Sequence, residues 1–146
     1  MVMRLPQVHD TRRFGRINLH IQLARQNGRV GYVGEGKNRL AAVHVSDAAH
    51  LFRLVLEKGK AGARYNAVGE EGVAMRDIAE VIGTRLKLPV ESIPPERVPD
   101  YFGLLAGLAA VDMAASGAAT RRELAWNPTG PDLLTDLRSM EDGAPS

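Results

Sequence analysis

Histidines, serines and a run of glycines are the residues of this 146-residue chain whose types and spacing could do chemistry. His9, His20, His44 and His50 contain no H-E-x-x-H pair and no local cluster with an acidic partner, so a zinc site or a nucleophilic triad finds no support in spacing. His20 is expected on the polar side of a helix, and His50 at the edge of the Leu51/Phe52 face. His44 differs, because it interrupts an apolar run from Ala41 to Val45 just ahead of a helix start. Strand ends beside helix starts are where α/β folds bind ligands, although a hydrogen-bonded structural histidine is the simpler reading of this residue on its own. Ser46, Ser92, Ser116 and Ser139 lack the G-x-S-x-G setting of an exposed nucleophile. The chain has no cysteine, which excludes a thiol nucleophile, a disulfide framework and a cysteine-ligated metal. It is consistent with a cytoplasmic address.

Gly28, Gly31 and Gly34 reproduce the spacing G-x-x-G-x-x-G. A dinucleotide loop needs those glycines between a strand and a helix, so that the phosphate meets helix N-terminal amides. Here the order is reversed, with helical spacing before the glycines and β-type residues after them. A helix cap at Gly28 and a turn around Gly34 and Gly36 explain them better.

The elements that must position these groups follow from periodicity. Met1 to Val8 reads as one strand. Phe14, Ile17, Ile21 and Ala24 mark a helix closed by Gly28. Val30–Val33 and Ala41–Val45 are β-type runs. A second helix starts at about Asp47, capped by Ser46 or Asp47, with Ala48, Leu51, Phe52, Val55 and Leu56 on its inner face and Gly59 at its end. Residues 64–68 form a strand, and Met75, Ile78, Ile82 and Leu86 mark a third helix. A short strand over 89–93 is stopped by Pro94-Pro95, and a glycine-diluted helix runs from Phe102 to Met113. Thr120 and Glu123 suggest a capping box for a short helix ending near Trp126, a last helix starts near Pro131, and the tail from Glu141 to Ser146 is frayed. Strands and helices alternate, so the class is α/β or α+β in one domain over 1–146.

Composition limits the partners. The chain is 45% hydrophobic and 25% charged, with a formal charge of +2, too little to imply nucleic acid. The pairs Arg12-Arg13 and Arg121-Arg122 lack interleaved aromatics and read as solvated faces. No stretch reaches the roughly 18 apolar residues of a membrane span, and Arg4, Asp10, Arg12 and Arg13 interrupt any signal-peptide core.

Three ordered segments carry a family resemblance: Arg4-Leu-Pro-Gln-Val-His9, Ala42-Val-His-Val-Ser-Asp-Ala-Ala49 and Glu123-Leu-Ala-Trp126-Asn-Pro128. Together they resemble the C-terminal half of extended or atypical short-chain dehydrogenase/reductases, the NAD(P)-dependent epimerase/dehydratase group. There a late strand reads R-x-P-x-V-Y-G, a later strand and helix read V-H-V-D-D-A, and a closing segment reads E-L-G-W-x-P. The resemblance implies an α/β fold made of late parallel strands of a Rossmann-type sheet plus a small α/β substrate-binding region. It also implies NAD or NADP as the parent's cofactor, a small-molecule substrate and a possible homo-oligomer.

Carried over residue by residue, Leu5, Pro6 and Gln7 match the segment that passes the nicotinamide. Val8-His9-Asp10 stands in place of V-Y-G, which puts His9 on the substrate side. His44 matches the histidine of V-H-V-D-D, with Ser46 replacing the first acid and Asp47 keeping the second. Arg39 lies one position from the arginine that grips diphosphate in the sugar-nucleotide epimerases, a shift that argues against a nucleotide-sugar substrate. The apolar stretch from Tyr101 to Val111 suits a small or hydrophobic one.

The family's glycine loop and Tyr-x-x-x-Lys pair find no counterpart. Four residues after Tyr32, Tyr65 and Tyr101 stand Gly36, Gly69 and Leu105. The expectation is therefore a truncated, substrate-side portion of an NAD(P)-dependent oxidoreductase or epimerase/dehydratase, without catalytic residues or metal, inactive alone and weak in cofactor binding. The alternative is a non-catalytic nucleotide-sensing or partner-binding module of the same superfamily.

Overall fold

A proline decides how the chain enters its sheet. The computed structural model describes residues 1–141. In it the strand expected over 1–8 is two strands, β1 (Val2–Arg4) and β2 (Gln7–His9), parted at Leu5-Pro6. Proline has no N–H to give a ladder, so a break there is the physical outcome. The two pieces then pair with different parallel partners. β3 (Val30–Val33) and β4 (Arg39–His44) follow the first helix, and β5 (Arg64–Asn66) and β6 (Glu70–Ala74) the second. β1 lies against β5, and β2 against β4 with His9 opposite His44. β6 runs antiparallel along the other edge of β4, and β3 pairs in parallel with β7 (Val90–Ile93). β6 escapes the sequence reading because Glu70, Glu71 and Gly72 have none of the β-branched or aromatic bias of a strand.

Helix α1 (Ile17–Asn27) buries Ile17, His20, Ile21 and Ala24, and Gly28 closes it in the left-handed conformation at φ 70°. Residue 20 belongs to the i, i+3, i+4, i+7 stripe, so His20 is buried against Phe102 rather than on the polar side. Helix α2 (Val45–Lys58) starts two residues early. Its cap is the imidazole of His44, whose Nδ1 accepts from the Ser46 N–H at 3.1 Å, and not Ser46 or Asp47. The buried face is Asp47, Ala48, Leu51 and Val55. Phe52 and Leu56 face away and are 56% and 69% exposed.

Helix α3 (Met75–Leu86) packs on α1, β3 and the C-terminal helix through Ile78, Ala79 and Ile82. Helix α4 (Val98–Phe102) is followed by a single 3-10 turn at Gly103–Leu105, so the longer helix expected over 102–113 does not form. Gly103 takes φ 55°, outside helical space, and this stops propagation. Met113 instead runs beside β4, donating to the Arg39 carbonyl and accepting from the Ala41 N–H. Helix α5 (Ala118–Leu124) opens at Gly117. Thr120 lies inside it and accepts from the Asn66 N–H, so it is no cap. Helix α6 (Leu133–Arg138) is capped by Asp132, which accepts from the Thr135 N–H at 2.7 Å. Of the tail expected to fray, only Glu141 lies within the described residues, where its N–H donates to the Thr11 carbonyl. Among the described residues three apolar clusters result, one between α1, α3 and α6, one around Trp126, Tyr65 and Leu51, and one around Ile93, Tyr101 and Phe102.

Candidate functional site

Where β1 gives way to β2, the lost ladder opens a cleft of about 440 Å³. Leu5, Pro6 and Gln7 form one wall, and Leu40, Val68 and Met113 lie among the apolar residues facing them. Gln7 turns its side-chain amide to the Phe14 and Val8 carbonyls, which fixes the loop leading into α1. Arg4 and Arg16 supply the cleft's charge, and no acidic residue lines it. The Arg16 Nη1 reaches only the Met113 sulfur, at 3.3 Å, a weak acceptor.

Two residues further along β2, His9 enters a different environment. Its Nδ1 stands 2.6 Å from Asp136 Oδ2, and the His44 Nε2 stands 3.6 Å from the same oxygen. The imidazoles meet edge to face with centroids 5.6 Å apart. His44 Nδ1 accepts from the Ser46 N–H, which assigns its proton to Nε2, toward Asp136. The 2.6 Å contact likewise puts a proton on His9 Nδ1, and the buried Nε2 has no hydrogen-bond partner among the described residues. His9 and Asp136 are 1% and 2% exposed, so this array ties α6 to the ends of β2 and β4.

The surrounding carboxyls differ by environment. Burial pushes Glu70 above the usual carboxylate range although its Oε1 accepts from the Leu133 N–H. Hydrogen bonds from Thr135 hold Asp132 below it. Asp47 accepts from the Thr129 and Gly130 N–H groups at 3.1 and 2.8 Å, while the Asp47 carbonyl accepts from the indole N–H of Trp126.

The six residues singled out from the sequence do not converge. Leu5, Pro6 and Gln7 line the cleft. His9, expected at the substrate wall, is enclosed and committed to Asp136, so in this arrangement it positions rather than touches a ligand. His44 caps α2. Arg39 begins β4, at the opposite end from His44, with its guanidinium on both oxygens of Asp112 at 3.2 and 2.9 Å. Arg16, Asn66 and Met113 were not foreseen as lining, and Asp136 stands 127 residues from His9 with no motif to mark it. Among the described residues no group of His, Asp and Glu could hold a metal, and no helix is long and apolar enough to cross a membrane.

The chain matches no protein-family model. It is similar to the uncharacterized protein YLL056C of Saccharomyces cerevisiae, at 45% identity over 139 residues, covering 94% of this chain and 47% of that one. The uncharacterized protein C2A9.02 of Schizosaccharomyces pombe is 42% identical with the same coverage. The chain thus spans about half the length of the curated relatives it matches. Among solved structures it resembles dTDP-glucose 4,6-dehydratase from Bacillus anthracis in complex with NAD, with TM-score 0.66 and 21% identity over 95% of this chain and 42% of that one. It also resembles UDP-glucuronic acid 4-epimerase from Bacillus cereus in complex with UDP-glucuronic acid and NAD, with TM-score 0.62 and 15% identity over 96% and 43%. The fold is therefore that of the C-terminal part of extended short-chain dehydrogenase/reductases of Rossmann type.

Proposed function

We propose that this chain forms the substrate-side portion of an NAD(P)-dependent oxidoreductase or epimerase/dehydratase, with Leu5, Pro6 and Gln7 facing the nicotinamide. The observation that carries the reading is the cleft at the β1/β2 break, because that segment lies on the wall of this apolar-floored opening of about 440 Å³. Its residues suit a nicotinamide ring, because Pro6 and Leu5 give an apolar surface. The glycine run does not suit the pyrophosphate. Gly28 caps a helix end, Gly31 lies within β3 and Gly34 turns, so none precedes a helix N-terminus as a phosphate cradle requires.

The chemistry a bound nicotinamide supplies is hydride transfer. The role left to this chain is to wall the cleft, exclude water and orient the substrate. The phosphate loop and proton-transfer pair would come from the additional length that the relatives possess. The chain alone would accordingly bind NAD(H) or NADP(H) weakly and catalyse nothing.

A chimera tests this. The part of the Saccharomyces cerevisiae relative outside the matched region is joined to this chain, and dinucleotide binding is measured by calorimetry. Binding is expected in the chimera, and Pro6→Ala should change the fluorescence of bound NADH. Micromolar affinity in the unfused chain, or a chimera that folds without binding either dinucleotide, would overturn the reading.

A further inference from the structure

The charge of the cleft narrows its occupant. Both charged side chains that line it are arginines, Arg4 and Arg16, and neither forms an ion pair with a carboxylate among the described residues. Arg29, which like Arg16 is only partly exposed, does find such a partner in Glu91. Arg16 is only partly exposed and its Nη1 has a thioether as neighbour. The nearest titratable group on its own helix, His20, is buried and held neutral, partly by Arg16 itself, and supplies no countercharge. A guanidinium removed from water without a counter-ion is unfavourable, and a ligand carboxylate or phosphate relieves that through charge-assisted bonds. The remaining wall combines apolar Leu5, Pro6, Leu40, Val68 and Met113 with the neutral amides of Gln7 and Asn66.

We infer that the cleft selects a small organic anion, with Arg16 and Arg4 gripping a carboxylate or phosphate group and the apolar wall taking the carbon body. This rests on the proposal that the cleft is the substrate side, and it narrows the substrate class. Arg39 is excluded from the grip by its pairing with Asp112 and its place outside the cleft.

The test uses the unfused chain and three probes of matched size: hexanoate, hexyl phosphate and neutral hexanol, titrated by NMR. The two anions are expected to bind at least about tenfold tighter than hexanol, as one charge-assisted hydrogen bond suggests. Added salt should weaken them selectively. Whichever anion binds tighter identifies the headgroup. Arg16→Gln should abolish the preference, Arg16→Lys should restore part of it, and Arg39→Gln should leave it unchanged. Thermal melting of each variant establishes that it is folded. Equal binding of all three probes, no binding of any, or a preference that survives Arg16→Gln combined with Arg4→Gln would overturn the inference. A chimera that binds NADH while the anion preference is absent would sink this inference alone. An intact preference with no dinucleotide binding in the chimera would sink the oxidoreductase reading alone.

Discussion

Acidification should unload about 2 kcal/mol of stability through His20. Burial is the first cause of its low proton affinity and the Arg16 charge the second, which together push it from the ordinary 6.5 to about 4. A histidine depressed in the folded state is protonated first in the unfolded chain, so its contribution is complete above pH 6.5 and is lost as pH falls toward 4. At about pH 5 the unfolded ring is charged while the folded one is still neutral. The gap of roughly 1.5 units below 6.5 corresponds to about 2 kcal/mol, and the loss saturates at about 3 kcal/mol below pH 4. His20→Phe removes the titration and keeps a ring against Phe102, which His20 meets at 6.2 Å between centroids. Urea unfolding reports the difference through the single tryptophan, Trp126, which is 2% exposed. Between pH 7.5 and 5 the natural protein should lose about 2 kcal/mol more than His20→Phe. Arg16→Gln should raise the ring's pKa in an NMR titration and shrink that loss. Parallel pH dependences for the natural protein and His20→Phe would refute the reasoning.

Three further outcomes follow from the packing. Asp136→Ala should cost about 3 kcal/mol in urea unfolding, because it leaves the enclosed His9 N–H without an acceptor; Asp136→Asn, which keeps an oxygen there, should cost less than half as much. Asp47→Ala removes the acceptors for the Thr129 and Gly130 N–H groups and should cost about 2 kcal/mol, read as a shifted denaturation midpoint with an unchanged slope. At Gly31 an added Cβ would lie 2.6 Å from Ile93 Cγ1 and 3.0 Å from Tyr101 Cε1, so Gly31→Ala should lower the melting temperature by an amount equivalent to about 1–3 kcal/mol.

Elements with strong local signals were legible. The helix from residue 17 announces itself by apolar spacing and its glycine stop, and the helix from Met75 by Ile78 and Ile82. What sequence order conceals is set by distant contacts. β6 is a strand because β4 has an edge to fill, although its glutamates and glycine argue for a loop. Phe52 and Leu56 read as core by residue type, yet the inner face of α2 turns toward Asp47, whose carboxylate holds the Thr129–Gly130 turn. Leu5, Pro6 and Gln7 could be singled out because their motif is contiguous, and they line the cleft. The opposite lining could not, because Arg16, Asn66 and Met113 come from three separated parts of the chain.

The proline that opens the cleft also separates two tasks along a single stretch of six residues. Up to Gln7 the chain presents side chains to a ligand-sized space; at His9 it is enclosed and fastened to α6. The fastening matters to the cleft because β2 is only three residues long and, among the described residues, pairs on one edge alone, with β4. Short strands of that kind hold position through side chains more than through their ladder. Loss of the His9–Asp136 contact should therefore loosen the Pro6–Gln7 wall before it unfolds the protein. Backbone amide exchange at Gln7 and Val8 in Asp136→Ala is the direct measurement, with the urea transition of the same variant establishing that it is folded. Faster exchange confined to β2 and the adjoining loop would establish the coupling, whereas a uniform change across all strands would show Asp136 acting on global stability alone.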